Sequence, residues 1–368
     1  MINIGFVGDI FPGGVLVNEG GISEDFKLFF NKFDLRVGNL ESALYDGKAE
    51  CHVKMSDPKL GNLVFSPESS IKIIKDLNID VVSLANNHVC DCDYEGLART
   101  IEILDKNGIA HFGAGRTEEE AKKPAIVHVK GKSICFLGYF PPEWEAPYPP
   151  HGDIGGLNQL ISENVIADIK KYKAKYDYVF VMPHWGKEHT IYPLQVDVKR
   201  LHEYLKAGAD GILGAHSHCP QTSFVWNNQV ISMSMGNLLF PDRYIISPRK
   251  TYYPTNEELN RKEIPITYKF PFVDKLTMVK MTGMGRVGLI CSVILDDKNI
   301  KLKKTYTILD ANNVLRLYKL PAIKRIRINT VQIFVKHRRL YSLFCKVMNK
   351  FINKFTKIKY RYGGWNLG

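Results

Sequence analysis

The chain has 368 residues, 45% of them hydrophobic and 24% charged, which is typical of a globular protein that can bury a large core. We recognise no secretory signal at its start and no run of about 18 apolar residues, so we expect neither a cleaved leader nor a membrane-spanning helix. The seven cysteines are odd in number and follow no disulfide spacing, which favours a reducing compartment and a cytoplasmic protein.

Strand-like and helix-like segments alternate along the chain, which predicts a layered α/β fold. Five apolar runs of strand length, near residues 2–9, 34–41, 80–88, 178–186 and 211–218, each end in polar residues. Helices are expected at 66–77, where Ser66 would cap the first turn, and at 94–106, 162–173 and 197–207. A hairpin is expected at 126–137, and two closing strands at 287–295 and 300–308.

Each of the five predicted strands ends at side chains that can bind a metal or move a proton. These are Asp9, Glu41, Asn87 with His88, His184, and His216 with His218. Ligand sites of α/β proteins collect at strand ends. Each side chain has an ordinary alternative role, such as a helix cap or a satisfied core histidine, but five coincidences in one chain argue for a site.

Carboxylate, imidazole and amide ligands together suit Mn, Fe or Zn better than Ca or Mg. A bridging carboxylate allows one or two divalent ions, and a pair about 3.5–4 Å apart can activate water and clamp a phosphoryl centre. His88 could then protonate the leaving group. A softer site that uses Cys90, Cys92 and Cys219 is a less favoured alternative.

Seven short motifs occur in a characteristic order. They are Gly8-Asp9, Asn39-Leu40-Glu41, Leu84-Ala85-Asn86-Asn87-His88 with Asp91, His184-Trp185-Gly186-Lys187-Glu188, Gly208-Ala209-Asp210, Gly214-Ala215-His216-Ser217-His218 with Gln221, and Ser234-Met235-Gly236-Asn237-Leu238-Leu239-Phe240. Over residues 2–310 this set resembles the capsule-synthesis protein CapA family, which is associated with poly-γ-glutamate capsule and exopolymer production. That family in turn resembles the calcineurin-like metallophosphoesterase superfamily.

The resemblance implies a four-layer α/β/β/α sandwich and a role for each matching residue. Asp9 and His218 would hold a first metal, and Glu41 would lie between the metals. The second metal would be held by Asn87, His184 and His216. His88 would be the catalytic proton donor, and Glu188 and Asn237 would bind substrate at the rim of the pocket.

Two positions depart from the phosphoesterase pattern. Phe11 stands where that superfamily usually has a histidine, and the bridging carboxylate is Glu41 instead of aspartate. The first metal position therefore loses one ligand, so a single ion is as plausible as two.

The formal net charge of +12 comes from one end of the chain. Residues 311–368 contain fourteen Lys and Arg and no Asp or Glu, whereas residues 1–310 carry a net −2. We therefore divide the chain into a metallophosphatase-type domain, 1–310, with a possible lid or insertion at 243–275, and a basic tail, 311–368.

The tail predicts a basic amphipathic helix. Its apolar positions are Leu340, Phe344, Val347, Phe351, Phe355 and Ile358, interleaved with lysines. Three interpretations remain open: packing on the core, peripheral contact of residues 334–359 with the inner face of the membrane, and binding of a polyanion. Nucleic acid ranks last, since the chain has no recognisable nucleic-acid module.

These observations predict a metal-dependent hydrolase of capsule or exopolymer biosynthesis, which cleaves a phosphoester with a metal-bound hydroxide. Its partners would be an anionic polymer or a phosphorylated substrate and a capsule synthase complex. One alternative is a non-catalytic scaffold that binds an anionic polymer or a synthase. Another is amide-bond chemistry on a polyglutamate-like chain.

Overall fold

The structure confirms that strands and helices alternate. It is a computed structural model that describes residues 1–47, 62–142, 152–247, 249–261, 263–268, 273–297 and 299–355. The strands in these ranges are β1 (Ile2–Ile10), β2 (Gly21–Ile22), β3 (Leu35–Leu40), β4 (Ala43–Leu44), β5 (Phe65–Ser66), β6 (Val81–Ser83), β7 (Ala110–Phe112), β8 (Ala114–Gly115), β9 (Ala125–Val129), β10 (Lys132–Tyr139), β11 (Gly156–Leu157), β12 (Tyr178–Pro183), β13 (Gly211–Leu213), β14 (Ser223–Trp226), β15 (Gln229–Ser232), β16 (Asn237–Leu239), β17 (Arg243–Ile246), β18 (Lys250–Tyr252), β19 (Ile266–Thr267), β20 (Thr277–Val279), β21 (Val287–Leu295), β22 (Ile300–Leu309) and β23 (Val314–Tyr318). The α-helices are α1 (Glu24–Phe30), α2 (Ile71–Asp76), α3 (Asp93–Lys106), α4 (Glu118–Lys122), α5 (Ser162–Lys173), α6 (Gln195–Ala207), α7 (Asn256–Arg261), α8 (Ala322–Val335) and α9 (Arg338–Phe355).

Two large sheets form the body of the molecule. The first runs β2-β23-β22-β21-β1-β3-β6-β7, with β16 also paired to β1, and the second runs β14-β15-β13-β12-β10-β9. Strands β1, β3, β6 and β7 are parallel to one another, as are β10, β12, β13 and β15. Parallel neighbours end at the same edge of a sheet, so polar residues that follow them are brought together.

The two sheets pack face to face through an apolar core. The Phe6 ring of the first sheet lies 5.1 Å from Phe180 and 6.1 Å from Phe136 of the second, measured between ring centroids. Alternate residues of β1 point to opposite faces, so Phe6 belongs to this core while Val7 belongs to a second apolar cluster on the other face.

Helices cover the outer face of each sheet. Ile101 of α3 packs in the same cluster as Val82 of β6. On the second sheet, Ile169 of α5 and Leu201 of α6 pack with Val181 of β12. The order helix, sheet, sheet, helix is the predicted four-layer α/β/β/α sandwich.

The predicted helix bounds agree closely with the structure except at 66–77. Helix α5 has the predicted bounds, and α6 starts at Gln195 and ends before Gly208, whose φ of +109° suits a residue without a side chain. The prediction that Ser66 caps a helix was wrong. Ser66 lies in β5 and its hydroxyl is 2.7 Å from that of Ser42, while a short 3₁₀ turn, Glu68–Ser70, precedes α2.

Three strands of the 243–275 segment form a small four-stranded sheet with β20, in the order β18-β17-β20-β19. The Thr251 amide of β18 donates to the Leu63 carbonyl at 2.9 Å, which ties this sheet to the main body. Residues 269–272 lie outside the described ranges. That the segment acts as a lid stays a prediction.

The C-terminal helices α8 and α9 pack on the outer helical layer. Val331, Val335 and Tyr341 are buried in the cluster that also contains α6 residues. The last part of the predicted tail, residues 356–368 with Ile358, lies outside the described residues. Among the helices that the structure describes, none is both long and apolar enough to cross a bilayer.

Candidate metal centre

The polar residues that end five strands meet at one edge of the sandwich. Asp9 lies near the end of β1 and Glu41 directly follows β3, while His184 follows β12 of the second sheet. All three are fully buried or nearly so, with at most 1% of the residue exposed. The two sheets thus contribute jointly to one buried polar cluster.

A close backbone approach places Asp9 in this cluster. The Asp9 amide donates to the Gly236 carbonyl at 2.9 Å, where β1 meets β16. A Cβ atom on Gly8 would stand 1.9 Å from that same oxygen, so only glycine fits at this position. The Gly8-Asp9 pair is therefore explained by packing as well as by chemistry.

The His216-His218 turn is held in an uncommon backbone conformation. His216 has φ +88° and His218 has φ +52°, in the region that non-glycine residues rarely adopt. The His216 amide lies 3.2 Å from an Asp9 carboxylate oxygen and donates to it. Conformations of this kind persist where surrounding contacts fix them, and they concentrate at functional sites.

Two sets of potential metal ligands share Glu41. Glu41 groups with His184 and His216, and also with Asp9 and His218, and within each group the ligand atoms lie within 4.8 Å of one another. His184 Nε2 is 3.4 Å and His218 Nε2 is 3.8 Å from Glu41 Oε1. The arrangement corresponds to the two predicted positions with a carboxylate between them.

The Glu41 carboxylate has no hydrogen-bond partner among the described residues, although both of its oxygens are buried. Such a group is costly to bury unless a cation compensates it. Burial, together with the nearby Asp9 charge, raises the pKa of Glu41 well above its ordinary value of 4.5. The donor set therefore fits one or two divalent transition metals, whose charge would satisfy this carboxylate.

The histidines divide into two electrostatic classes. Burial lowers the pKa values of His184 and His216 to about 3, so both rings are neutral and have a lone pair available for a metal. Burial acts in the same direction on His218, but the Glu41 and Asp9 carboxylates raise its pKa to about 10. In the metal-free protein, His218 is therefore a cation, and its Nδ1 lies 3.4 Å from the Asp9 carboxylate.

Asn87 lies with the second set of ligands. Its Oδ1 is 2.9 Å from His184 Nε2, and His216 Nδ1 is 3.0 Å from that same nitrogen. The amide oxygen and the two imidazole nitrogens thus converge on a single small region beside Glu41.

His88 does not join the group of converging ligands. Its Nδ1 lies 2.6 Å from Asp91 Oδ2, and the residue is only 7% exposed. Its charge acts on both Glu41 and Glu188, so it lies beside the cluster. This placement agrees with a proton donor more closely than with a metal ligand.

The two predicted rim residues lie at different depths. Asn237 is buried, and its Oδ1 is 2.8 Å from His218 Nδ1, so it orients a ligand in the interior. The Glu188 side chain is 46% exposed at the surface. Partial desolvation raises the pKa of Glu188, but the nearby charge, chiefly that of His218, outweighs this effect and holds that pKa at about 2. Glu188 therefore faces the cluster as an anion.

Several residues of the site received no role from the sequence. Asn39 Nδ2 donates to Asp9 Oδ1 at 2.9 Å, and Asn86 Oδ1 accepts from the His88 amide at 3.0 Å. Asp91 orients His88, and the His189 ring lies 5.6 Å from that of His218. Asn39, Asn86 and Asp91 all occur within the recognised motifs, so their position in the motif was the only available signal.

Phe11 occupies an apolar cluster beside the first ligand set. It is fully buried with Phe240, at 5.3 Å between ring centroids, and Phe240 in turn lies 4.9 Å from the His218 ring. The guanidinium of Arg243 lies over both phenylalanine rings, at 5.9 and 5.4 Å. The position that is a histidine in the phosphoesterase pattern here belongs to a hydrophobic wall.

The cysteine alternative receives no support from the geometry. Neither of the ligand groups found in the described part of the chain includes a cysteine. Burial raises the pKa of Cys219 to about 12, so its thiol stays protonated and is a poor metal ligand.

A cavity of about 240 Å³ lies next to the rim of the site. Its lining includes His189, Met284, and two basic residues of α8, Lys324 and Arg327. The Arg327 guanidinium is 5.5 Å from the centroid of the Tyr192 ring and donates to the Tyr192 hydroxyl at 3.0 Å, which fixes its position. The lining residues carry positive charge and no acidic side chain.

Comparison with known proteins gives relatives with capsule functions. The chain is 28% identical over 247 residues to the PGA biosynthesis protein CapA of Bacillus subtilis, covering 65% of this chain and 63% of that protein. It is 27% identical over 176 residues to the capsule biosynthesis protein CapA of Bacillus anthracis, covering 47% and 43%. The chain thus spans less than two thirds of the length of these relatives.

Solved structures with a similar course of the chain are remote in sequence. One is the calcineurin-like phosphoesterase YfkN of Bacillus subtilis, with a TM-score of 0.39, 14% identity, and coverage of 92% of this chain and 98% of that one. Another is the NAD nucleotidase of Haemophilus influenzae, with a TM-score of 0.40, 12% identity, and coverage of 95% and 60%.

The family assignment rests on a match across most of the site. Residues 3–242 match the bacterial capsule synthesis protein family PGA_cap. The matched range contains Asp9, Glu41, His184, His216 and all the other residues predicted to bind metal or substrate. The chain belongs to this family of bacterial capsule synthesis proteins.

Proposed function

We propose that this protein is a metal-dependent phosphoesterase that acts in capsule or exopolymer production. The observation that carries the proposal is the Glu41 carboxylate, buried between two histidine-containing groups and without a hydrogen-bond partner among the described residues. The relatives named for PGA and capsule biosynthesis support the assignment to that process.

The residues would divide the work as follows. Asp9 and His218 would hold one ion, and Asn87, His184 and His216 would hold the other, with Glu41 shared between them. Divalent ions held there would lower the pKa of a bound water and would stabilise the charge of a phosphoryl group. The protein's own part is to fix these ligands in a dry site, and the Asn39 and Asn237 amides do this by holding Asp9 and His218.

His88 would supply the proton to the leaving group. Its Nδ1 is held 2.6 Å from the Asp91 carboxylate, which fixes the ring orientation. Nε2 lies on the opposite side of the ring from Asp91, where it would reach a leaving-group oxygen. A buried, oriented imidazole of this kind typically accelerates a reaction by about 10²–10⁴-fold.

The substrate would be anionic over more than its reacting group. The basic cavity at the rim is lined by Lys324 and Arg327 next to His189, and it favours a second anionic group on the substrate. A phosphorylated intermediate or an acidic polymer, such as the glutamate polymer named for the relatives, has this character.

A second candidate function is a scaffold that binds an anionic polymer without turnover. The specific observation in its favour is Phe11, since the first ligand group lacks a ligand at that position and has a buried apolar wall there instead. Amide-bond chemistry on a polyglutamate-like chain uses the same polarising groups and is the further alternative.

The test is turnover of p-nitrophenyl phosphate and bis-p-nitrophenyl phosphate by protein stripped of metal and reloaded with Mn, Fe or Zn. Activity should require metal, and His88→Ala should retain metal while losing about 10²–10⁴-fold in kcat. Lys324→Glu should raise KM for the more highly charged substrate with little change in kcat. Turnover unaffected by metal removal would refute the hydrolase, and bound metal without turnover of any anionic ester or amide would favour the scaffold.

A further inference from the structure

We propose that the two C-terminal helices, α8 and α9, form a docking surface for an anionic lipid bilayer. This inference is independent of the hydrolytic function, because none of the residues that carry it belongs to the metal centre. It starts from the way in which these two helices divide their apolar residues between two faces.

One face of each helix is fixed to the body of the protein. Val335 and Tyr341 are fully buried, and the Tyr341 hydroxyl donates to the Pro193 carbonyl at 2.5 Å. The Phe334 ring of α8 stacks on Phe344 of α9 at 4.8 Å, which holds the two helices together. The helices therefore have a defined orientation, and their opposite faces point away from the core.

The opposite faces carry a second set of aliphatic side chains, here called the outer tail face. Its members are Ile323 (79% exposed), Ile326 (62%), Ile333 (57%), Leu340 (47%), Leu343 (58%) and Val347 (58%). On α8 the spacing is three and seven residues, and on α9 it is three and four, so each set lies along one side of its helix. Packing with the core already uses the other apolar side, and no contact within the described residues accounts for this one.

The positive charge of the two helices indicates which kind of partner binds the outer tail face. The described part of the two helices, residues 322–355, contains nine Lys and Arg and no Asp or Glu. Seven of the basic residues remain when Lys324 and Arg327, which line the rim cavity, are set aside. A second copy of the chain would bring like charges together at the same surface, which opposes association. A soluble polyanion would neutralise the charges but leave the aliphatic side chains in water. An anionic bilayer satisfies both features, since acyl chains take up the aliphatic side chains and lipid phosphates meet the basic ones.

The experiment is co-sedimentation of the full chain with vesicles of phosphatidylcholine, with and without phosphatidylglycerol, at low and high salt. The test variant is Leu340→Ser/Leu343→Ser/Val347→Ser, in which all three exchanged side chains are exposed and the fold should be preserved. The matched control is Leu28→Ser, an equally exposed leucine (62%) on α1. We expect the wild type and the control to bind vesicles with phosphatidylglycerol, weakening in salt, and the triple variant to bind roughly tenfold or more weakly.

Each contrary outcome has a distinct meaning. Equal binding by the triple variant and the wild type, with loss of both at high salt, would show a purely electrostatic polyanion surface and overturn the proposal. Absence of vesicle binding by the wild type would also overturn it. A triple variant that changes oligomeric state while binding vesicles normally would assign the outer tail face to a second copy. Metal content should be the same in all these proteins, so failure here leaves the proposed hydrolase function untouched.

Discussion

Replacing Glu41 by glutamine should have opposite effects on the metal-free and the metal-loaded protein. Glutamine has nearly the same shape as glutamate, so the change removes the charge and leaves the packing of this fully buried residue in place. If Glu41 bridges the metals, its carboxylate destabilises the metal-free protein and is required for metal to stabilise the protein. Glu41→Gln should therefore be stable without metal and should fail to gain stability from metal.

The magnitude follows from the contacts of the carboxylate. The histidine nitrogens recorded beside it lie 3.4 and 3.8 Å away, outside good hydrogen-bonding distance, and the described residues offer neither oxygen a partner. A buried polar group in this state costs about 1–3 kcal/mol. We expect metal-free Glu41→Gln to match or exceed the wild type by up to this amount.

Bound metal should reverse the order of stability of the wild type and Glu41→Gln. A ligand at about 100 times its Kd stabilises the folded protein by about 2.7 kcal/mol, and a variant without the bridging ligand loses most of that gain. At this metal concentration, the wild type should therefore become the more stable of the two proteins.

The pH dependence has a definite sign. The pKa of Glu41 is raised in the folded protein, so the folded state holds a proton that the unfolded state releases above about pH 4.5. This contribution therefore destabilises the metal-free wild type increasingly as the pH rises from that value toward the raised pKa. The advantage of metal-free Glu41→Gln over the wild type should accordingly grow over the same interval.

Urea unfolding of both proteins, with chelator and with excess Mn, measures these differences. The matched control is Glu119→Gln, which removes an 85% exposed carboxylate on α4 and should change the stability by less than about 0.5 kcal/mol in either state. Equal metal-induced stabilisation of Glu41→Gln and wild type would refute the bridging role. A metal-free variant several kcal/mol less stable than the wild type would show that Glu41 has a structural partner.

Three further predictions concern residues around this carboxylate. Metal binding at about pH 7 should release protons, because the pKa of His218 is about 10 in the metal-free protein. Calorimetry in buffers of different ionisation enthalpy measures the number of protons released. A heat of binding that does not depend on the buffer would contradict the prediction. Asp91→Asn should keep the metal content, lower kcat at least about tenfold and change the pH profile of kcat, since Asp91 orients His88 at 2.6 Å. An unchanged pH profile would remove Asp91 from the mechanism. Phe11→His should lower the stability of the metal-free protein by about 1–3 kcal/mol, because the site is apolar, and should raise the metal occupancy. Unchanged occupancy in elemental analysis would show that a histidine here does not reach the first metal position.

The positions of the strands and of the cluster could be predicted from the sequence because two local patterns were strong. Apolar runs stopped by polar residues predicted β1 and β3 to within a residue or two and predicted the first residues of β12 and β13. Parallel strands of one sheet share an edge, so Asp9 and Glu41 of the first sheet were expected to meet. The meeting of Asp9 with His184 of the second sheet was implied only by the family resemblance.

Roles that depend on tertiary contacts could not be predicted in this way. Ser66 has the local pattern of a helix cap, but its pairing with Ser42 is a contact between distant segments and gives it a different conformation. The tail shows the same limit. Phe344 and Val347 both lie on apolar positions of one predicted helix, yet Phe344 packs against Tyr341 and Phe334 while Val347 is 58% exposed. Which of two apolar stripes is buried depends on the partner surface.

The most direct test of the central claim is elemental analysis of protein purified without chelator, with the wild type beside His216→Ala. His216 is neutral, nearly fully buried and grouped with Glu41 and His184, so its removal should empty the second position without unfolding the core. We predict about one or two equivalents of Mn, Fe or Zn in the wild type and a clear loss in the variant. Folded wild type without metal, or a variant with the same metal content, would contradict the assignment of this cluster as a metal centre.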